Sequence, residues 1–385
     1  MKTPFLLIFV LWGAGLGAAA QYAKISVVFD QLPALYPDAG AALGFIVSLV
    51  GFVGILLGVV AGLVVARIRF RRAIVLALLA GALVSFVQAV LPPLPWLLAT
   101  RVLEGMSHLA IVVAAPTLIA QMSAPQHRGF ALTLWGTFFG VAFTLLVVLG
   151  LPLVEARGVG ALFVAHGLWM GAFAGLLSVM LPRTEEAAPK TELSLPHILR
   201  DHAQIYRSAY MGAPAIGWLF YTLCFLSILT VLPPFIPETA RAWTLGAMPL
   251  ASIVSSLTIG VFLLRYITAI QVVQLGFAAC ILCLGWLWVA PGLPMACLAL
   301  SAALGLVQGA TFAAVPQLNS TAQTQAKANG AMAQMGNLGN TLGTPGALLV
   351  LSLAGYAGLI ATVIAIFVCA IAVHAVLAGR RSRDN

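Results

Sequence analysis

Residues 95–120 read PWLLATRVLEGMSHLAIVVAAPTLIA, from Pro95 to Ala120, and this stretch decides the fold. A helix rises 1.5 Å per residue, and roughly 20 apolar residues cross the hydrocarbon core of a bilayer. The stretch is long enough to cross, and its charged residues stand on one line. Arg101, Glu104, Gly105 and His108 occupy positions i, i+3, i+4 and i+7 and so share one helix face. A charged side chain at the centre of a bilayer costs roughly 2.5–3.5 kcal/mol on insertion scales, so this face must turn toward a cavity or a partner.

Working outward, eleven further apolar runs flank it, at 5–28, 40–66, 73–91, 129–151, 159–181, 210–234, 243–264, 269–290, 294–315, 328–353 and 356–378. Their continuous apolarity excludes a transmembrane barrel, whose strands would alternate over about ten residues. The whole chain of 385 residues is 62% hydrophobic and 8% charged. A soluble domain carries about 25% charged residues to cover its surface, so the lipid bilayer is the expected solvent. The fold class that follows is an all-α integral membrane protein of twelve transmembrane helices.

The net charge of +9 does not point to nucleic acid, because the basic residues sit in short loops between the runs. With a cytoplasmic N-terminus, the inner loops and tails hold Lys2, Arg67, Arg69, Arg71, Arg72, Arg128, Arg183, Lys190, Arg200, Arg207, Arg265, Lys327, Arg380, Arg381 and Arg383, which is 15 of the 19 basic residues. The outer loops hold Arg157 and Arg241, and Lys24 and Arg101 lie within spans. The positive-inside rule then predicts that both termini are cytoplasmic, with a bacterial plasma (inner) membrane as the expected location. The run Ala18-Ala19-Ala20 before Gln21 allows a rival reading as a cleaved signal peptide, which would turn the basic loops outward. The charge count argues against it.

The domain plan is 1–181 as an N-terminal six-helix bundle, 182–209 as a cytoplasmic linker and 210–385 as a C-terminal six-helix bundle. The linker carries Glu185, Glu186, Lys190, Glu192, Arg200 and Asp201, and Leu195 to Tyr206 suits a short helix on the membrane surface. The halves look related. Glu104-Gly105 matches Gln308-Gly309, and the run from Ala131 with Gly136 matches the run from Ala331 with Gly336. Repeats of this kind are an expected plan for a secondary transporter.

Twelve spans in two halves joined by a charged loop resemble the major facilitator superfamily, over the whole chain. Two local segments carry the resemblance further. Between spans two and three that family has a glycine, an acidic residue and a basic cluster. Here the segment runs from Gly62 through Arg67, Arg69, Arg71 and Arg72, with Ala66 at the acidic position and Arg69 at that of the second glycine. The resemblance implies a gating role at the cytoplasmic side for Gly62, Arg67, Arg71 and Arg72, without the acidic member of its charge latch. In span four the family has an Arg followed four residues later by Gly, matched by Arg101 and Gly105. The short chain and Arg101-Val102-Leu103-Glu104-Gly105 look similar to cyanate-permease-like members.

Several side chains are candidates for chemistry. Glu104 is a proton-coupling candidate, since a desolvated carboxyl takes up protons more readily, and His108 is one by its intrinsic range. Against this, Arg101 and Glu104 satisfy each other as a brace, and His108 bonds a neighbouring helix. Gln21 and Lys24 share a face in span one. Lys24 and Arg101 fall at comparable depth and suit an anionic group between them, one as a point charge and one as a fork. Alternatively Lys24 snorkels toward Asp30 or Asp38. In the second half, Gln308, Asn337 and Asn340 are substrate-binding candidates, with interhelical glue as the plainer reading. Trp135, Trp218 and Tyr221 are candidates for an aromatic wall. Glycines four apart at Gly54, Gly58 and Gly62 suit close helix packing.

The five cysteines fall inside apolar runs, and packing is the expected role of Cys280 and Cys283. No P-loop, HExxH or nucleophile elbow occurs, so neither an enzyme nor an ATP-driven pump is expected, and no cofactor or metal. The leading expectation is a monomeric, proton-coupled secondary transporter of a small, anionic solute. A multidrug-type exporter of apolar compounds and a non-transporting receptor or assembly factor stand as alternatives.

Overall fold

The computed structural model describes residues 3–182 and 195–384. Lys2, Arg183, Glu185, Glu186, Lys190 and Glu192 lie outside the described residues, and so do the side chains of Asp30, Ala66 and Arg67. Every long element among the described residues is a helix. The N-terminal half contains α1 (Phe5–Ser26), α2 (Leu43–Ile68), α3 (Phe70–Ala89), α4 (Leu94–Met122), α5 (Pro125–Arg157) and α6 (Val159–Met180). A surface helix, α7 (Leu195–Arg207), leads into α8 (Gly212–Val231), α9 (Glu238–Leu263), α10 (Ala269–Val289) and α11 (Pro294–Leu318). The last helical stretch, Ala322–Asp384, is divided at Gly355, whose φ of 64° and ψ of −167° no helix admits. The division gives α12 (322–354) and α13 (356–384). Among the described residues this makes twelve spans, in two six-helix bundles, as the apolar runs predict.

Local sequence sets the boundaries. Prolines open α4, α5 and α11 within their first two residues, where a missing N–H costs nothing. Thr268 and Gln271 form a reciprocal capping box at the start of α10. Gly292 turns the chain into α11 with a φ of 66°, at a point where a side chain would collide with the Phe235 carbonyl. Apolar side chains cover the outside as well as the core: Val179, Leu282 and Leu353 are each more than three-quarters exposed. In water such a surface would associate, and in a bilayer it is solvated by lipid.

The halves meet at the end that carries Arg69, Arg71, Arg72, Arg128, Arg265 and Lys327. There α2 and α12 lie backbone to backbone. A Cβ on Gly58 would stand 2.8 Å from the Gln334 Cα, and one on Gly62 2.7 Å from the Ala326 carbonyl oxygen. Gln334 donates to the Ile55 carbonyl (2.6 Å), Asn329 to Thr117 (3.0 Å) and Gln121 to Gln325 (3.0 Å). Beside them, α5 packs on α9 and α11, with Gly129 against Leu264 and Gly309 against Thr133. Toward the opposite end this packing gives way to a cavity.

Candidate functional site

The cavity lies between the halves and measures about 250 Å³. Helical spacing builds its walls. On α5, Trp135, Phe138, Phe139 and Phe143 fall at i, i+3, i+4 and i+8 and all face it. Trp135 stacks on Phe138 with centroids 4.6 Å apart, and Phe139 lies 5.2 Å from Phe143. On α8, Trp218, Tyr221 and Phe225 fall at i, i+3 and i+7 and stack in sequence at 4.7 and 5.1 Å. Two aromatic ladders thus oppose each other across the gap, and Phe312 meets Trp218 edge-on at 5.0 Å.

Polar groups enter between the ladders. Gln308, Asn337 and Asn340 line the cavity from the C-terminal half, and Tyr22 and His108 from the N-terminal half. Gln308 donates to the Gly136 carbonyl at 2.6 Å, so it joins the halves as well as facing the space. His108 pairs through Nδ1 with the Ala18 carbonyl at 2.9 Å. The carbonyl requires a proton on Nδ1, which leaves Nε2 as the ring's acceptor. Trp135 Nε1, the Tyr221 hydroxyl and Ser252 Oγ belong to cavity-lining residues and are buried without a hydrogen-bond partner among the described residues. Among the described residues no Asp, Glu, Lys or Arg lines the cavity.

The charged residues of the spans are gathered instead in a sealed cluster inside the N-terminal half. Lys24, Arg101 and Glu104 are each 0% exposed. The Lys24 ammonium lies 2.5 Å from Glu104 Oε1, and Arg101 Nη1 pairs with Glu104 Oε2. Gln88 donates to the same Oε2 at 2.9 Å. Lys24 also donates to Ser85 (2.7 Å), lies 3.2 Å from His166 Nδ1 and stands 5.1 Å from the Phe163 ring centroid. His166 pairs through Nε2 with the Gly17 carbonyl, so its Nδ1 accepts, with the Ser85 hydroxyl 2.6 Å away. Arg101 further donates to the carbonyls of Gln21 (2.8 Å) and Ile46 (2.7 Å). The Gln21 amide turns to Ser107 at 3.0 Å. Buried ions persist only when paired, because the desolvation of each is several kcal/mol. Here each ion has an opposite charge, although Arg101 Nη2, Gln88 Oε1 and Gln21 Oε1 have no hydrogen-bond partner among the described residues.

The residues singled out in the sequence therefore divide into two groups. His108, Gln308, Asn337 and Asn340 line the cavity. Gln21, Lys24, Arg101 and Glu104 do not, and the two cations meet across Glu104 rather than across the gap. Lys24 does not snorkel to the surface. The spacing rule that flagged Arg101 applies equally to His166 and Gln88, which stand within apolar runs at 159–181 and 73–91 and complete the cluster. Tyr22, Phe138, Phe139 and Phe143 escaped notice because aromatic residues in a span are ordinarily lipid-facing or packing. At the basic end, Gly62 packs on Ala326 and Lys327, and Arg71 donates to the Ser178 carbonyl on α6. Cys280 is buried in the core of the C-terminal half, Cys283 is partly buried beside it, and among the described residues no group of three or more His, Cys, Asp or Glu is placed to hold a metal.

Two six-helix halves joined at one end around a central cavity are the plan of a membrane transporter. The family model of the Major Facilitator Superfamily matches residues 11–344, and the chain belongs to that superfamily. It is a membrane transporter and not an enzyme. The Multidrug efflux pump Tap of Mycolicibacterium fortuitum is 36% identical over 138 residues, which are 35% of this chain and 33% of that one. The chain thus matches about a third of that relative. Among solved structures, the human organic anion transporter MFSD10 (TETRAN) superposes with a TM-score of 0.77 at 16% identity, covering 94% of this chain and 97% of the other. FucP in the outward conformation superposes at 0.74 and 14% identity, covering 97% and 98%. At such identities the likeness is one of fold.

Proposed function

We propose that the protein is a monomeric, proton-coupled efflux transporter of uncharged, aromatic organic compounds. The observation that carries this reading is the cavity wall: two facing aromatic ladders and, among the described residues, no Asp, Glu, Lys or Arg. A flat apolar compound gains dispersion and burial there, while an anion would be stripped of water with no cation to meet it. The unpartnered Trp135, Tyr221 and Ser252 groups can all donate, so a carbonyl or ether oxygen on the compound is favoured. Gln308, Asn337 and Asn340 supply further hydrogen bonds, and His108 supplies an acceptor at Nε2. The likeness of a third of the chain to a multidrug efflux pump agrees with this. Glu104 is the proton-exchanging group, with Lys24 and Arg101 as its partners rather than as an anion grip. The basic end is cytoplasmic by the positive-inside rule, both termini lie there, and the cavity opens to the other side. The location is a bacterial inner membrane.

The test uses everted membrane vesicles holding the protein. Acidifying the lumen should drive uptake of a neutral aromatic dye, and a small carboxylate should not compete. Lys24→Ala should abolish the response to the gradient while dye affinity changes by less than about threefold. Carboxylate uptake that is lost with Lys24→Ala would sink the proposal and restore the anion reading.

A further inference from the structure

Tyr22 lines the cavity, follows Gln21, whose carbonyl Arg101 holds, and bonds across to the other half. Its hydroxyl donates to Asn337 Oδ1 at 2.5 Å, from α1 in one half to α12 in the other. Asn337 is clamped for this, since its Nδ2 donates to the Ala333 carbonyl at 2.7 Å. The pair lies in a slot cut by α2. A Cβ on Gly54 would collide with the Asn337 amide, and one on Gly51 would stand 3.6 Å from the Tyr22 hydroxyl and 3.7 Å from Asn337 Oδ1. The ring is held from both sides, edge-on to His108 at 5.0 Å and tilted against Phe139 at 5.9 Å.

Two short routes join this bond to Glu104. Arg101, which pairs with Glu104, also donates at 2.8 Å to the carbonyl of Gln21, the residue that precedes Tyr22. Along α4, Glu104 is followed one turn later by His108, whose ring rests on Tyr22. Any change at the carboxylate alters the pull of Arg101 on the Gln21 carbonyl. A helix backbone carries that displacement directly to the next side chain. Glu104 is met by Lys24 from α1, Gln88 from α3 and Arg101 from its own helix, with Ser85 of α3 and His166 of α6 next to it on Lys24. None of these side chains is hydrogen-bonded to the C-terminal half among the described residues. The links of Asn329 to Thr117 on α4 and of Gln334 to Ile55 on α2 lie toward the basic end, and Tyr22 is the link beside the cluster.

We infer that Tyr22 is the positioning residue that transmits the state of the Glu104 cluster to the join between the halves, its bond to Asn337 being the contact that is made and broken. This rests on Glu104 as the proton-exchanging group. Rocking of the halves moves α1 and α12 relative to each other, and an O–H···O bond does not survive a shift of an ångström or more. The bond therefore favours the arrangement seen here, and releasing it favours opening at the basic end.

The experiment measures distances by pulsed EPR between spin labels on α5 and α9 at the cavity end, in the full chain in lipid nanodiscs. Tyr22→Phe keeps the ring and removes the donor. Asn337→Ala removes the acceptor from the other half and carries the test should the first variant misfold. Each should lower the ratio of the present arrangement to its alternative by roughly fivefold, the weight of one net hydrogen bond. Glu104→Gln should shift the wild-type distribution and have little further effect in the Tyr22→Phe background. Additive shifts, or no shift with either single variant, would overturn the inference. No substrate or gradient is present, so a wild type without proton-driven flux would refute the proposed coupling and leave this result standing.

Discussion

Arg69 occupies a backbone conformation made for glycine. With φ at 78° and ψ at 127° it precedes α3 in the left-handed region that a side chain disfavours. The resemblance of Gly62–Arg72 to its family places a glycine at this position, and the structure shows what that glycine is for. Arg69→Gly is expected to raise stability by about 1 kcal/mol, from relief of left-handed strain partly offset by the greater freedom of the unfolded chain. A higher melting temperature in detergent checks this, and an unchanged or lower one refutes it. At the same scale, the buried charges were legible in the sequence, since bilayer energetics forbid an isolated ion. Their partners were not. Whether Arg101 faces Glu104 alone, an anion or the Gln21 and Ile46 carbonyls depends on which helices stand beside α4, and spacing along one helix does not contain that.

At the scale of elements, the glycines four apart on α2 announced a close contact without naming the other side. The structure gives it as α12, with Gly330 directly opposite Gly58 and Gly62. Small residues here let two backbones touch, which in a membrane takes the place of hydrophobic association. Gly58→Leu would drive a side chain into the Gln334 backbone, which has no freedom to retreat. The substitution is expected to force the basic end apart and close the cavity end. Cysteines introduced near Thr117 should then react with a polar thiol reagent at least tenfold faster than in the parent. Unaltered reactivity in a folded variant would refute this role for the glycine face. The aromatic ladders belong to this scale too. Their spacing was present in the sequence, yet the same spacing serves lipid-facing helices, so only the opposition of α5 and α8 makes a wall of them.

At the scale of the molecule, the question is what holds the halves in this arrangement. The helix α7, expected to rest on the membrane surface, packs on the ends of α8 and α12, with Ile205 buried. Its Asp201 pairs with Lys327 at 3.3 Å, and its Tyr206 hydroxyl donates at 2.6 Å to Gln334, the residue that bridges to Ile55 on α2. Burial pushes the Tyr206 phenol above its ordinary range, so it remains a donor at every physiological pH. Linker and closed interface thus share one amide. Tyr206→Phe is expected to speed turnover or basic-end opening by about threefold to tenfold, through loss of a hydrogen bond worth about 1 kcal/mol. Stopped-flow measurement of the conformational step checks it. A slower step would mean that α7 assists opening instead of restraining it.

The sequence by itself determined the number of spans, their boundaries to within a few residues, and the presence of a polar face on the fourth. These follow from one-dimensional quantities: the length of an apolar run, the spacing of side chains around a helix and the cost of charge in hydrocarbon. The tertiary structure alone decided that the ions seal one another inside the N-terminal half while aromatic rings line the cavity. That outcome depends on the rotation of each helix about its axis and on its neighbours, and both are set by packing between segments far apart in the chain. Tyr22 is the clearest case, ordinary in its own sequence and significant only because Asn337 folds back to meet it.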